Sequence, residues 1–587
     1  YWGWDPVENA GLLPWFTATA FLHSVMVQER RSMLRVWNVT LVIITFFLTI
    51  FGTFMTRSGV VQSVHAFGED SELAMMFGVF MAIILIVCFG LVIYRLPLLR
   101  ARHELDSWAS REAAFLLNNW ILLFSAVFIL FATMFPTLSE AITGERLTVG
   151  PPFFNKWMLP IGLMLLLLTG VGPLLAWRKS TLSNLGNQFL WPITAAVVTG
   201  GVLYALGFRV WASGVCFMLC AFVLGTIGQE FIRGTRVRRD ATGADVLTSV
   251  TGLVARSHRR YGGYIIHVGI VLMFLGFAGE GYKLEEQVLL APGQQVEVGA
   301  FVVRHEGVSV RDDGQKQMVT GSLQVFEEGE EIGMMYPARW FFRKHEQEPT
   351  TEVAIHRSIS EDLYIVMAAF DMQDQSASFQ VTVNPLVNWI WFGFGIMALG
   401  TVIALLPEQA FSFAASKIPM GAATTSLLLF VLVASAPLHA QHIESAQTVP
   451  TVPRSAAERE LYHEIVCMCG TCGRKLVGEC TCGTAAMMRD EISLLIDQGK
   501  TKEDVFQHFI TMYGSQEPLA MPLDQGFNRL AWLFPYLLGL SGVVGVGTVA
   551  LRWSMREATD APLPAGILND GDAQLIARLD DELRDLD

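Results

Sequence analysis

Five of the eight cysteines crowd into one short stretch, CMCGTCGRKLVGECTC, at Cys467, Cys469, Cys472, Cys480 and Cys482. Cys469 and Cys472 form a C-x-x-C pair. In an oxidising compartment such a pair cycles between dithiol and disulfide through a mixed disulfide. Cys467, Cys480 and Cys482 are extra to that motif, and their tight pairing also suits a zinc ion or a second structural disulfide. Gly473 follows Cys472, so no C-x-x-C-H haem-attachment motif is present and the chain is not itself a c-type cytochrome.

Two histidines stand inside apolar stretches, where ionisable side chains are costly and often functional. His23 precedes the end of one stretch at Val27 by four residues, and His267 follows the start of another at Gly262 by five. At about 1.5 Å rise per residue, both lie roughly 6–8 Å deep from the same face. They are either two axial ligands of one haem iron or unrelated core histidines bonded to backbone. A third group opens the chain, in YWGWDPVENAGLLPWF. Trp2 and Trp4 are either interfacial belt residues or an aromatic shelf, with Asp5 orienting the segment or meeting a basic partner. His65, in TRSGVVQSVHAFG, is an ordinary loop histidine or an axial ligand to haem lying on that shelf.

These groups need a membrane scaffold. Hydrophobic residues make up 52% of 587 and charged residues only 16%, against about a quarter charged in soluble domains. About eleven apolar runs reach spanning length: 11–27, 36–56, 73–94, 115–135, 157–177, 189–207, 210–230, 262–280, 388–406, 421–437 and 531–551. Basic loops (QERRSMLR, RLPLLRAR, RKS, RGTRVRR…RSHRR) alternate with loops poor in positive charge, which assigns the former to the cytoplasm. The net charge of −13 argues against nucleic acid.

The expected fold is therefore mainly α and polytopic, with about eleven spans, a small outer β-domain and a small three-helix cysteine domain. Residues 1–280 form the multi-span part. Residues 281–387 alternate apolar and polar in short runs and form the β-domain. Residues 388–416 carry another span. KIPMGAATTSLLLFVLVASAPLHAQ, at 417–441, is signal-peptide-like or a retained span. Residues 442–525 hold three helices, the last opened by a Thr501–Asp504 capping box. A final span occupies 526–555, and 556–587 is an acidic tail with apolar residues on one helical face.

WGWDPVENAGLLPWFTATAFLHS, GTFMTRSGVVQSVHAFG, VGPPFFNKWMLP, GVGPLLAW, YGGYIIHVGI and YPARWFF occur in this order, and with them residues 1 to about 408 resemble the CcmF family of the haem-handling WWD superfamily. Residues 457–523 resemble the CcmH thiol-oxidoreductase family. The chain thus resembles a CcmF–CcmH fusion whose CcmF part lacks its N-terminal portion.

The resemblance implies a haem lyase of cytochrome c maturation in the bacterial inner membrane, with its working sites facing the periplasm. Haem from the haem chaperone CcmE would lie against Trp2, Trp4 and Asp5 with His65 on iron, a second iron ligand lying outside this chain. His23 and His267 would hold a separate b-type haem that keeps the transferred iron reduced. Cys469 and Cys472 would handle the thiols of apocytochrome c, alongside other maturation subunits and a quinol donor. Two other classes fit parts of the pattern: a haem exporter needs the shelf but no thiol domain, and a quinol-to-disulfide electron carrier needs His23 and His267 but no shelf.

Overall fold

The computed structural model describes residues 2–61, 63, 71–99, 107–177, 182–343, 345–406, 453–470, 474–480 and 482–557. Among these, nine helices are long and apolar enough to cross a membrane. They are α1 (Pro6–Arg31), α2 (Arg35–Arg57), α3 (Ser71–Leu99), α4 (Arg111–Thr143), α5 (Pro151–Leu174), α6 (Leu182–Ala205), α7 (Trp211–Thr242), α9 (His258–Gly279) and α10 (Asn388–Leu405). A short helix, α8 (Val246–Arg256), sits between α7 and α9. These spans match nine of the eleven apolar runs. The run at 421–437 lies outside the described residues, and the last falls within a 29-residue helix, α14 (Arg529–Glu557). Several helices outlast their apolar windows. α7 runs twelve residues past Glu230 to Thr242, because long Arg side chains carry their charged heads to water without ending the backbone ladder.

Between α9 and α10 stands a β-sandwich of ten strands: β1 (Leu284–Leu290), β2 (Gln295–Val298), β3 (Phe301–Asp312), β4 (Lys316–Glu327), β5 (Glu330–Met335), β6 (Ala338–Phe342), β7 (His345–Glu352), β8 (Ala354–Arg357), β9 (Glu361–Phe370) and β10 (Ala377–Pro385). One sheet has the order β1-β10-β9-β8, the other β2-β3-β4-β6-β7 with β5 on β4. Alternate residues face the shared core: Phe301, Val303 and His305 along β3 are buried, and Val319, Leu323 and Val325 along β4 join them. The period-2 pattern carries the domain because each sheet has one inner face.

The cysteine segment contains α11 (Ala456–Tyr462), α12 (Gly483–Asp497) and α13 (Lys502–Tyr513). Thr501 and Asp504 form the expected reciprocal cap of α13. Two isolated antiparallel bridges, Ile465 with Leu519 and Val466 with Leu476, fix the loop between α11 and α12. The core is Leu461, Ile465, Val477, Met488, Ile492 and Phe509, among others.

Candidate functional site

The opening aromatics are clamped rather than free. Trp4 adopts φ +54°, a left-handed backbone unusual for a non-glycine residue. Its carbonyl accepts a bond from Asn9 Nδ2 at 3.0 Å, and the same amide group donates to Thr133 Oγ1 of α4. Its indole stacks on Phe154 (4.9 Å, 6°) and donates to Asn155 Oδ1 at 2.8 Å. Trp2 stands edge-on to Trp4 at 5.9 Å and is 47% exposed. The pair presents one fixed and one open indole.

Asp5 caps α1, accepting from Val7 N while Glu8 reaches back to Asp5 N. Its Oδ1 also accepts from Ser63 Oγ at 2.5 Å. His65 itself lies outside the described residues. The Asp5 bonds fix the start of α1.

The cysteine segment docks beside this ledge. Gly150 N donates to Ala520 O (2.8 Å) and Thr148 Oγ1 to Glu517 O (2.8 Å), joining the mouth of α5 to the loop after α13. Burial pushes the Lys475 ammonium below the ordinary lysine range, against the opposing pull of Cys480, Glu479 and Asp5. Lys475 therefore stands within electrostatic reach of both the cysteines and the ledge. Asn155, Phe154, Asn9 and Lys475 were not singled out from sequence as site residues. VGPPFFNKW contains two of them, but nothing in its spacing shows that it meets Trp4.

Among the cysteines, the sulfurs of Cys467, Cys469, Cys480 and Cys482 all lie within 4.8 Å of one another. Cys467 and Cys482 are 3.3 Å apart and Cys480 and Cys482 3.5 Å, beyond the ~2.05 Å of a disulfide. Hydrogen bonds from Cys467, then Cys480, hold the Cys482 thiol well below the ordinary thiol range. The N–H of Ala485, in the first turn of α12, adds to this. Cys472 lies outside the described residues.

His23 and His267 come together inside the bundle. Their rings are parallel within 6°, with centroids 6.4 Å apart. His23 Nδ1 lies 2.8 Å from the Thr19 carbonyl, which can only accept, so the proton sits on Nδ1 and Nε2 keeps its lone pair. His267 Nδ1 is buried and has no hydrogen-bond partner among the described residues. Two imidazoles on opposite sides of one metal stand about 6 Å apart, centre to centre: two metal–nitrogen bonds of ~2.0–2.1 Å plus half of each ring. The pair fits a bis-imidazole metal site in spacing, in its available lone pair and in its unsatisfied nitrogen.

Comparison with known proteins gives the same order of parts. Residues 1–62 match the cytochrome c assembly protein family, 281–385 the CcmF C-terminal β-sandwich and 427–579 the CcmH cytochrome c biogenesis family. The chain is 33% identical over 413 residues to the cytochrome c-type biogenesis protein CcmF of Pseudomonas aeruginosa, covering 70% of this chain and 61% of that one. It is 33% identical over 423 residues to CycK of Rhizobium meliloti and 28% identical over 413 residues to CcmF of Escherichia coli. A solved structure of the cytochrome c haem lyase CcmF superposes with a TM-score of 0.56 at 27% identity, covering 69% of this chain and 61% of that one. The chain thus spans about three-fifths of the length of the relatives it matches.

Proposed function

From the premise that the chain belongs to the CcmF family, with a CcmH-family segment behind it, we propose that it is a haem lyase of cytochrome c maturation. It lies in the bacterial inner membrane with its β-sandwich and cysteine segment in the periplasm. Its substrates are haem, passed from the haem chaperone CcmE, and the thiols of apocytochrome c. Each thiol adds across a vinyl group, sulfur to one carbon and hydrogen to the other. The addition is redox-neutral and needs the cysteines reduced.

This chain's residues do the arranging. Trp2 and Trp4 would receive the substrate haem, and His65 would ligate its iron. Cys469 and Cys472 keep the apocytochrome thiols reduced, or hold one by a transient mixed disulfide. His23 and His267 would hold a resident b-type haem, which supplies an electron-transfer centre that keeps substrate iron ferrous, drawing on quinol. Other maturation subunits complete the assembly.

The observation that carries this reading is the docking of the cysteine segment against the tryptophan ledge, through Gly150, Ala520 and Lys475. Thiols and haem have to meet, and here the two relevant parts of one chain share an edge. The test is spectral and genetic together. His23→Ala and His267→Ala should each abolish the b-type absorption of the purified protein. His65→Ala should keep that absorption and stop covalent haem attachment to a reporter cytochrome. Unchanged haem content in all three variants would remove the ligand assignments.

A further inference from the structure

We propose that Cys467, Cys469, Cys480 and Cys482 form a tetrathiolate zinc site that organises the cysteine segment. In a tetrahedral site with zinc–sulfur bonds of ~2.3 Å, neighbouring sulfurs stand about 3.8 Å apart. The four sulfurs here are mutually within 4.8 Å, with two pairs at 3.3 and 3.5 Å. All four are therefore close enough together to share one ion. Four sulfurs in tetrahedral array select zinc over harder divalent ions.

The backbone explains how two C-x-C pairs, each tighter than the common C-x-x-C spacing of zinc sites, reach one point. Cys467 N donates to Lys475 O at 2.7 Å and Val477 N to Ile465 O at 2.8 Å, so the chain doubles back on itself. Gly470 (φ +78°) and Arg474 (φ +67°) take left-handed conformations in or beside the turn. Cys480 N bonds Leu476 O, and Cys482 then caps α12. One pair comes from a hairpin arm, the other from the entry to a helix.

Charge points the same way. Four thiolates with one divalent ion carry a net charge of −2. Arg489 is 1% exposed, and its Nη1 donates to Val477 O and Cys480 O. Its Nε and Nη2 have no hydrogen-bond partner among the described residues. A buried guanidinium with unsatisfied donors is costly unless anionic charge is close, and thiolates at Cys467, Cys480 and Cys482 would supply that charge. Lys475, half-buried, is the second cation.

This inference is independent of the haem reading and has a consequence for it. Cys469 belongs both to the C-x-x-C pair and to the quartet. While zinc is bound, Cys469 is held as a reduced thiolate and is withdrawn from a disulfide with Cys472.

The test is metal content of the full-length protein purified in detergent without chelator. We expect stoichiometric zinc, released by a thiol-specific mercurial. Growth with cobalt should give the intense visible and near-ultraviolet bands of a tetrahedral cobalt thiolate. Cys467→Ser and Cys480→Ser should lose the metal, whereas Cys472→Ser should retain it. Absence of zinc from the unmodified protein, or a Cys467–Cys482 disulfide in non-reducing peptide mapping, overturns the proposal. So does retention of zinc by Cys469→Ser alongside its loss in Cys472→Ser. None of these readouts depends on cytochrome maturation, so this proposal and the haem lyase reading fail separately.

Discussion

Trp4 shows what fixing a single indole demands of the backbone. Its left-handed backbone costs on the order of 1–3 kcal/mol, and Asn9, Phe154 and Asn155 offset that by fixing the carbonyl and the indole. The residue matters through its orientation as well as its type. Trp4→Phe keeps the stack on Phe154 and loses only the Asn155 bond, worth about 1 kcal/mol. It should lower covalent haem attachment to a reporter cytochrome roughly fivefold, by haem stain. Asn9→Ala touches no substrate, but it releases the Trp4 carbonyl and strands Thr133, so it should reduce attachment at least as much. Equal activity in Asn9→Ala would mean that the ledge needs no clamp. The matched depth of His23 and His267 was readable from sequence, because it follows from helical rise alone. The orientation of Trp4 was not, because Asn155 is 151 residues away and Thr133 is on another helix.

At the scale of elements, the α9–α10 pair decides where His267 stands. Gly262, Gly269 and Gly276 recur every seven residues on α9, and Gly393 and Gly400 do so on α10. A Cβ on Gly269 would lie 2.5 Å from Gly393 O, and one on Gly393 the same distance from Gly269 O. Backbone oxygen cannot swing aside, so the helices must part. Close approach through small residues is how membrane helices pack without a hydrophobic drive. Gly269→Val should cost about 1–3 kcal/mol or more and remove the b-type absorption as fully as His267→Ala. Gly263→Ala and Gly395→Ala, where an added Cβ meets nothing within 4 Å, should leave the spectrum intact.

The junction of the β-sandwich with α10 adds a pH dependence. Burial raises the Asp362 carboxyl above the ordinary range, although Asn388 Nδ2 donates to it at 2.5 Å. A carboxyl raised in the folded state contributes stability that is full below its unfolded pKa and is lost as pH climbs through the folded one. Asp362→Asn should therefore raise the melting temperature at neutral pH, and the gain should shrink as pH falls into the carboxylate range. The strands around this junction were legible as alternation, but their order in two sheets was not. Alternation fixes which face is inside, and pairing is chosen by the whole sandwich.

Across the whole molecule, the sequence announced the parts without showing how they meet. The cysteine segment read as a separate soluble unit behind a signal-like stretch, a stretch that lies outside the described residues. It packs instead against the front of the bundle. Ala520 pairs with Gly150, and α14 lays aromatic rings on α4 and α5: Phe534 on Phe131 at 3.6 Å, Trp532 on Phe153 at 5.0 Å and Tyr536 on Trp157 at 5.1 Å. These partners stand hundreds of residues apart, so no local periodicity points to them. If the contacts rather than the linking chain hold the parts together, the chain should tolerate being cut. A protease site inserted between residues 441 and 452 should yield, after cleavage, two pieces that still co-purify in detergent. Trp532 and Phe534 are half-buried, so each truncation to Ala should cost about 2 kcal/mol of that association. The double variant should separate on cleavage and stop cytochrome maturation while keeping the b-type absorption, because His23 and His267 lie elsewhere. Pieces of the unmodified chain that part as soon as they are cut would show that covalent linkage alone brings the thiols to the ledge.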